Sequence, residues 1–235
     1  MKIFRNIIAV LAVLVVAGSA SAYTLTVQSM GSANQTVGNE FRLGINVGPA
    51  GVTDAPMVGA GDPLPTVVLN PVHPGWFGPI GSSSWISFEN NFSPTSGTSG
   101  ASGDSIQNDQ YVWFFHQFDI AGNPLGGMLD VLADDTVSVW VNGAQLAVAN
   151  LSTTTGATYP TCSSNVVGCL QQTMGSYDIS SYLLSGSNLF AFQVFQRNGT
   201  GYGLNYSAKV DVPEPATMLL MGAGLLGIAA RRNRA

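Results

Sequence analysis

Basic residues are almost missing from the body of this chain. Of the eight Lys and Arg in 235 residues, five (Lys2, Arg5, Arg231, Arg232 and Arg234) sit in the first five or last five positions. Only Arg42, Arg197 and Lys209 remain between them, and three scattered cations cannot track a phosphate backbone, which excludes nucleic acid as a partner. Histidine and cysteine are as scarce, with His73 and His116 far in sequence from the two cysteines, Cys162 and Cys169. A sulfur-based metal centre would need more ligands near those cysteines. Serine chemistry lacks its base: His116 lies in a bulky apolar run that reads as core, His73 lies in a Pro-rich loop, and no Gly-x-Ser-x-Gly elbow occurs. Glu40, Glu89, Asp104, Asp109, Asp119, Asp130 and Asp178 offer carboxylates, but no motif pairs any two across a scissile bond. The expected protein is not an enzyme. Helical periodicity is nearly absent as well, and 28 glycines with only 9% charged residues describe an exported, turn-rich β-protein.

Both ends carry targeting chemistry. Lys2 and Arg5 precede an apolar run from Ile7 to Val16 and a small-residue Ala20-Ser21-Ala22 site, the pattern of a signal peptide over 1–22, cut by signal peptidase with Tyr23 as the first mature residue. At the other end, Val212-Pro213-Glu214-Pro215-Ala216 leads into an uncharged apolar run, Thr217 to Ala230, and then Arg231-Arg232-Asn233-Arg234. The prolines hold Glu214 on a stiff extended segment. The run is about the length of the shortest membrane-spanning helices, and the arginines would stay on the cytoplasmic side. Order, spacing and position together resemble the PEP-CTERM sorting signal of Gram-negative bacteria. That resemblance implies recognition of Pro213, Glu214 and Pro215 by an exosortase, removal of the membrane anchor at 212–235, and a mature protein released from or attached to the cell surface. A plain tail anchor is the alternative reading. In an oxidising envelope Cys162 and Cys169, with six residues between them, are expected to close one small disulfide loop.

What remains, residues 23–211, is one domain large enough to bury a core. Alternation with period two marks strands at Tyr23–Val27 and Glu40–Val47, the latter with Phe41, Leu43, Ile45 and Val47 expected inward. Tyr111–Phe118 is bulky on both faces, as a central strand would be. Leu129–Ala133 follows, and Val137, Val139 and Val141 then alternate up to an Asn142-Gly143 hairpin into Gln145–Ala149. Leu189–Gln196 and Leu204–Val210 complete about eight to ten strands, which predicts an all-β, jelly-roll-type sandwich. Residues 48–65 and 93–105 read as long loops.

Ser84-Trp85-Ile86, Phe118-Asp119-Ile120, the stretch Asp134 to Gly143, Tyr177-Asp178-Ile179 and Gly186 to Leu189 fall in an order similar to galactose-binding-like β-sandwiches, over roughly residues 66 to 210. The resemblance implies sugar binding, adhesion or another accessory role. Arg197, Asn198 and Tyr202 in one loop combine donors with an aromatic ring and form the first candidate for a glycan site. Trp140, opposite the valine row, is a possible stacking platform or a covered ring. Trp76 and Phe77 form an aromatic tip that either grips a ligand or plugs one end of the sandwich, and Trp85 reads as core. Asp134 and Asp135 would suit a structural calcium ion only with further oxygens, and turn capping is their other reading; no other cofactor is expected. The partners expected are exosortase and signal peptidase during export and an extracellular polysaccharide afterwards. A matrix or adhesion protein that contacts other proteins is the second reading, favoured if Trp140, Trp76 and Tyr202 are buried.

Overall fold

The period-two alternation folds as two antiparallel sheets packed face to face. The computed structural model describes residues 22–47, 62–93, 106–107, 110–150, 161–197, 201–214 and 224. Among these are eleven strands: β1 (Ala22–Gln28), β2 (Asn39–Val47), β3 (Val67–Val68), β4 (Ile86–Ser87), β5 (Gln110–Ile120), β6 (Gly126–Asp134), β7 (Thr136–Val141), β8 (Ala144–Ala147), β9 (Gly175–Asp178), β10 (Gly186–Gln196) and β11 (Gly203–Pro213). One sheet runs β3-β4-β11-β6-β9 with β1 also on β11, and the other runs β2-β5-β10-β7-β8. The sandwich expected from the sequence is the one observed. β3, β4 and β9, of two, two and four residues, are too short to carry a readable alternation. The expected loops at 48–65 and 93–105 lie mostly outside the described residues, as do the signal peptide and, apart from Gly224, the C-terminal apolar run. No helix among the described residues is long and apolar enough to cross a membrane.

Between the sheets lie Val112, Phe114 and Phe118 of β5, Val137, Val139 and Val141 of β7, Phe190, Phe192 and Val194 of β10, and Leu204, Tyr206, Ala208 and Val210 of β11, all buried. The strand β5 sits between β2 and β10, which is why it can be bulky on both faces. Its outward residues Trp113 and Phe115 join Leu43, Trp140 and Ala191 in a second cluster on the far side of that sheet. The hairpin from β7 to β8 turns through Asn142 at φ 49° and Gly143 at φ 82°, both left-handed, as a tight primed turn requires. Asn142 Nδ2 also donates to Tyr182 O, and Leu189 N donates to Asn142 Oδ1, each at 2.8 Å.

One inward face is reversed from expectation. The register pairs Phe41 with Phe115 and Arg42 with Phe114 and then shifts before Ile45 meets Val112. A bulge adds one residue and flips the faces on either side of it. Ile45 packs on the central core, while Phe41 and Leu43 belong to the outer cluster; the side chain of Val47 lies outside what is described. Glu40 and Arg42 therefore point between the sheets. Arg42 Nε donates to Pro65 O at 3.0 Å, and its guanidinium lies 5.7 Å from the centre of the Phe88 ring.

Glu40 anchors a polar line across the core. It accepts from Thr66 Oγ1 and from Gln35 Nε2, the latter at 2.9 Å. Tyr206 Oη lies 2.8 Å from Glu40 Oε2 and 2.7 Å from His116 Nδ1, and His116 Nε2 lies 2.7 Å from Val37 O. The phenol has one proton for two neighbours, so one of them must carry a proton of its own. A neutral carboxyl and a neutral imidazole complete the line without net charge. Burial favours both forms: it raises the Glu40 carboxyl above its usual range and lowers His116 to about 4.

Candidate functional site

A third apolar cluster, on the outer face of the sheet containing β6 and β11, shapes a concave site. Trp76, Trp85, Leu69, Leu132 and Cys169 are buried together, with Phe77, Phe92, Leu170 and Met174 against them. Trp76 and Trp85 stand 4.4 Å apart between ring centres, and Trp85 Nε1 donates to Phe77 O at 3.0 Å. Trp85 is core, as its sequence position suggested. Trp76 covers the outer face of this sheet rather than plugging an end of the sandwich, and it forms a wall of a cavity of about 340 Å³, which His73, Asp134, Thr161, Ser163, Leu170, Gly201 and the two cysteines also line.

Each wall has a local cause. Cys162 and Cys169 are disulfide-bonded, with Cα atoms 5.2 Å apart, and the closed loop presents the hydroxyls of Thr161 and Ser163, which hydrogen-bond each other at 2.6 Å. Asp134 ends β6, and its Oδ2 accepts from Trp76 Nε1 at 2.7 Å. Burial, and after it the neighbouring Asp135 carboxyl, holds Asp134 well above the usual carboxylate range. The protonated acid it favours can both donate to and accept from a hydroxyl. Gly201 lets the chain pass close by: a Cβ there would collide with Asp134 Oδ2 and come within 3.2 Å of Trp76. Asp134 and the two sulfurs lie near enough to suggest a metal centre, but sulfurs joined to each other are not thiolate ligands. We expect reduction of the disulfide to cost about 2–3 kcal/mol by loop entropy and to loosen Thr161 and Ser163. Thermal melts with and without reductant test this, and unchanged melting would show that the bridge does not hold the wall.

Of the sequence-derived glycan candidates, Trp140, Tyr202 and Arg197 are buried and do not line this cavity, which corrects those three. Trp140 is 1% exposed, its ring 5.0 Å from that of Trp113, and so it presents no free face for a sugar. Tyr202 is fully buried; its hydroxyl donates to Val194 O at 2.8 Å and accepts from Val112 N at 3.1 Å. Arg197 is buried too, and its backbone N–H donates to Asp135 Oδ2 at 2.6 Å. Tyr202 and the Arg197 backbone tie the end of β10 to β5 and to the Asp134-Asp135 bend. Asn198 lies outside the described residues. The two aspartates act as acceptors for Trp76 and for the Arg197 backbone, closer to capping than to ion binding. Asp134 and Trp76 were each visible in the sequence, but nothing there joined them to His73 or to the hydroxyls of the cysteine loop.

The sorting motif occupies the end of the last strand. Pro213 closes β11 and Glu214 follows it, both half-buried; Pro215 lies outside the described residues. Among solved structures, the chain is similar to a β-glucuronidase of Faecalibacterium prausnitzii at 10% identity and TM-score 0.42, covering 83% of this chain and 32% of that one. A family 35 carbohydrate binding module from Clostridium thermocellum matches at 10% identity and TM-score 0.33, over 79% of this chain and 97% of the module. The α-L-rhamnosidase of Streptomyces avermitilis complexed with L-rhamnose matches at 16% identity and TM-score 0.37, over 84% and 17%. The chain thus spans about a third of the glucuronidase it resembles. No curated protein matches it in sequence. Residues 211–234 match the PEP-CTERM protein-sorting motif, and the chain therefore carries the signal of an exported protein that is processed at the membrane.

Proposed function

We propose that the mature sandwich, comprising residues 23–211, is a non-catalytic glycan-binding protein of the extracellular polymer layer. In this reading an exosortase of a Gram-negative host releases it or attaches it to the surface. The observation that carries the glycan reading is the cavity at His73, Trp76, Asp134 and Ser163. An imidazole, an indole edge, two hydroxyls and a buried carboxyl face a space of about 340 Å³, within the size range of small-ligand sites. Apolar walls with a few fixed polar groups suit a sugar, whose rings offer C–H faces and hydroxyl edges. Only Asp134 of the aspartate pair lines the cavity, so the two facing carboxyls that glycoside hydrolysis needs are not supplied by that pair.

A glycan array probed with mature protein tests this reading. A hit whose affinity falls about tenfold, roughly 1.4 kcal/mol, in both His73→Ala and Ser163→Ala supports it. A hit untouched by either change removes the cavity as the binding site. The second reading, a matrix or adhesion protein that contacts other proteins, is favoured by the burial of Trp140 and Tyr202. In that case the array stays blank while the mature protein still retains matrix proteins.

A further inference from the structure

In sequence the two cysteines have no further metal ligand close to them, but the fold brings one. Asp134, at the end of β6, places a carboxylate oxygen so that it and the sulfurs of Cys162 and Cys169 all lie within 4.8 Å of one another on the wall of the cavity. Ligand atoms set tetrahedrally about zinc, with bonds of about 2.3 Å to sulfur and about 2.1 Å to oxygen, stand about 3.6–3.8 Å apart. Rotation of the sulfur-bearing side chains and a small approach of the carboxylate reach that spacing.

The backbone that carries these groups is held without the bridge. Cys169 N donates to Cys162 O at 3.2 Å, Phe77 N to Cys169 O at 2.8 Å, and Ala133 N to Gly168 O at 3.0 Å. Asn165 Nδ2 donates to Asp135 O at 2.7 Å. Gly168 lets the loop close this tightly, since a Cβ there would collide with Cys162 O. Trp76 Nε1, donating to Asp134 Oδ2, fixes the carboxylate as the outer partners of metal ligands do.

We propose that reduction of the disulfide turns Asp134, Cys162 and Cys169 into a zinc site whose fourth position opens into the cavity. A dithiol reductant supplies two electrons and two protons: the Sγ–Sγ bond breaks, two thiols form, and the reductant closes to its own disulfide. Zn²⁺ then displaces both thiol protons and that of the Asp134 carboxyl to solvent as two Zn–S bonds and one Zn–O bond form. His73 is not a ligand: its Nδ1 accepts from Gly75 N at 3.0 Å, so in its neutral form the ring carries its proton on Nε2. Three protein ligands leave one position for water, the pattern of open zinc sites. Thiolates select zinc over Ca²⁺ and Mg²⁺. In the oxidising compartment expected of an exported protein the bridge keeps the site closed, and the site does not depend on the glycan reading.

The exported protein is compared in its oxidised form and after reduction by a dithiol that is then removed by anaerobic gel filtration. Titration with Zn²⁺ alone is expected to find one ion per reduced chain, bound about 100-fold more tightly than by the oxidised form, because two thiolates replace a neutral bridge. Zinc is also expected to restore most of the melting temperature lost on reduction, since the ion closes the same loop. Co²⁺ in its place is expected to give thiolate-to-metal charge-transfer absorption in the reduced form and not in the oxidised one. Asp134→Asn keeps the cysteines and an acceptor for Trp76, and it is expected to weaken zinc binding by the reduced protein about tenfold or more. Equal zinc affinity in the two redox states overturns the proposal, and so does a reduced-state affinity that Asp134→Asn leaves unchanged. Sugar binding is read separately on the array with oxidised protein, so either reading can fall alone.

Discussion

Glu214→Ala is expected to leave the precursor in the inner membrane. Glu214 is the only charged residue between Val212 and Ala230, so an enzyme that recognises this segment has a single ionic group to bind. Removing one partner of a desolvated, hydrogen-bonded charge typically costs 2–5 kcal/mol, which corresponds to about 30-fold or more in rate. Pulse-chase labelling of the exported protein measures it. The proline on each side holds the carboxylate extended, so Glu214→Gln, which keeps the shape and loses the charge, is expected to fail nearly as badly. Normal maturation of the alanine variant would reduce the terminal segment to a simple anchor.

The next largest effect is expected inside the sandwich, at Tyr206. Its hydroxyl joins Glu40 and His116 of one sheet to β11 of the other and is completely buried. Tyr206→Phe leaves two buried polar groups each short of a partner, at a cost of about 2 kcal/mol. The same line sets a pH dependence. His116 in the folded protein titrates near 4, below its ordinary 6.5, so between those values the unfolded chain takes up a proton that the folded one refuses. Stability is therefore lost as pH falls through that window, by roughly 3 kcal/mol at its lower end. Glu40 acts with the opposite sign, because its raised carboxyl keeps its proton longer in the folded state and stability returns as pH falls. Comparing denaturant midpoints of parent and His116→Gln from pH 7 to pH 4 isolates the histidine. The variant is expected to lack the acid-side loss, and parallel curves would mean that His116 does not titrate as its burial implies.

The long strands were legible because each carries several alternating residues with one face against the core; the Asn142-Gly143 turn was legible because only particular residues adopt two left-handed positions in succession. The inward face of β2 was misread at Phe41 and Leu43 because a bulge inverts the pattern without leaving a signal in composition. Trp140 and Tyr202 were misplaced for a related reason. A strand pattern shows which face a ring occupies but not whether a second layer covers it, and here Trp113 and the core beneath Val112 and Val194 occupy that space. The cavity joins His73, Trp76, Asp134 and Ser163 across 90 positions of sequence, and no local pattern reports such a convergence. The C-terminal sorting motif was legible because a processing enzyme reads it as linear sequence.

The two ends of the mature protein offer the most direct test. Peptide mapping by mass spectrometry of the protein recovered outside the cell, from a host with the matching exosortase, is expected to find Tyr23 at the amino terminus and no peptide from the apolar run Thr217 to Ala230 or from the arginines beyond it. Recovery of the mature protein with that run and Arg231-Arg232 still attached would contradict processing at the sorting motif.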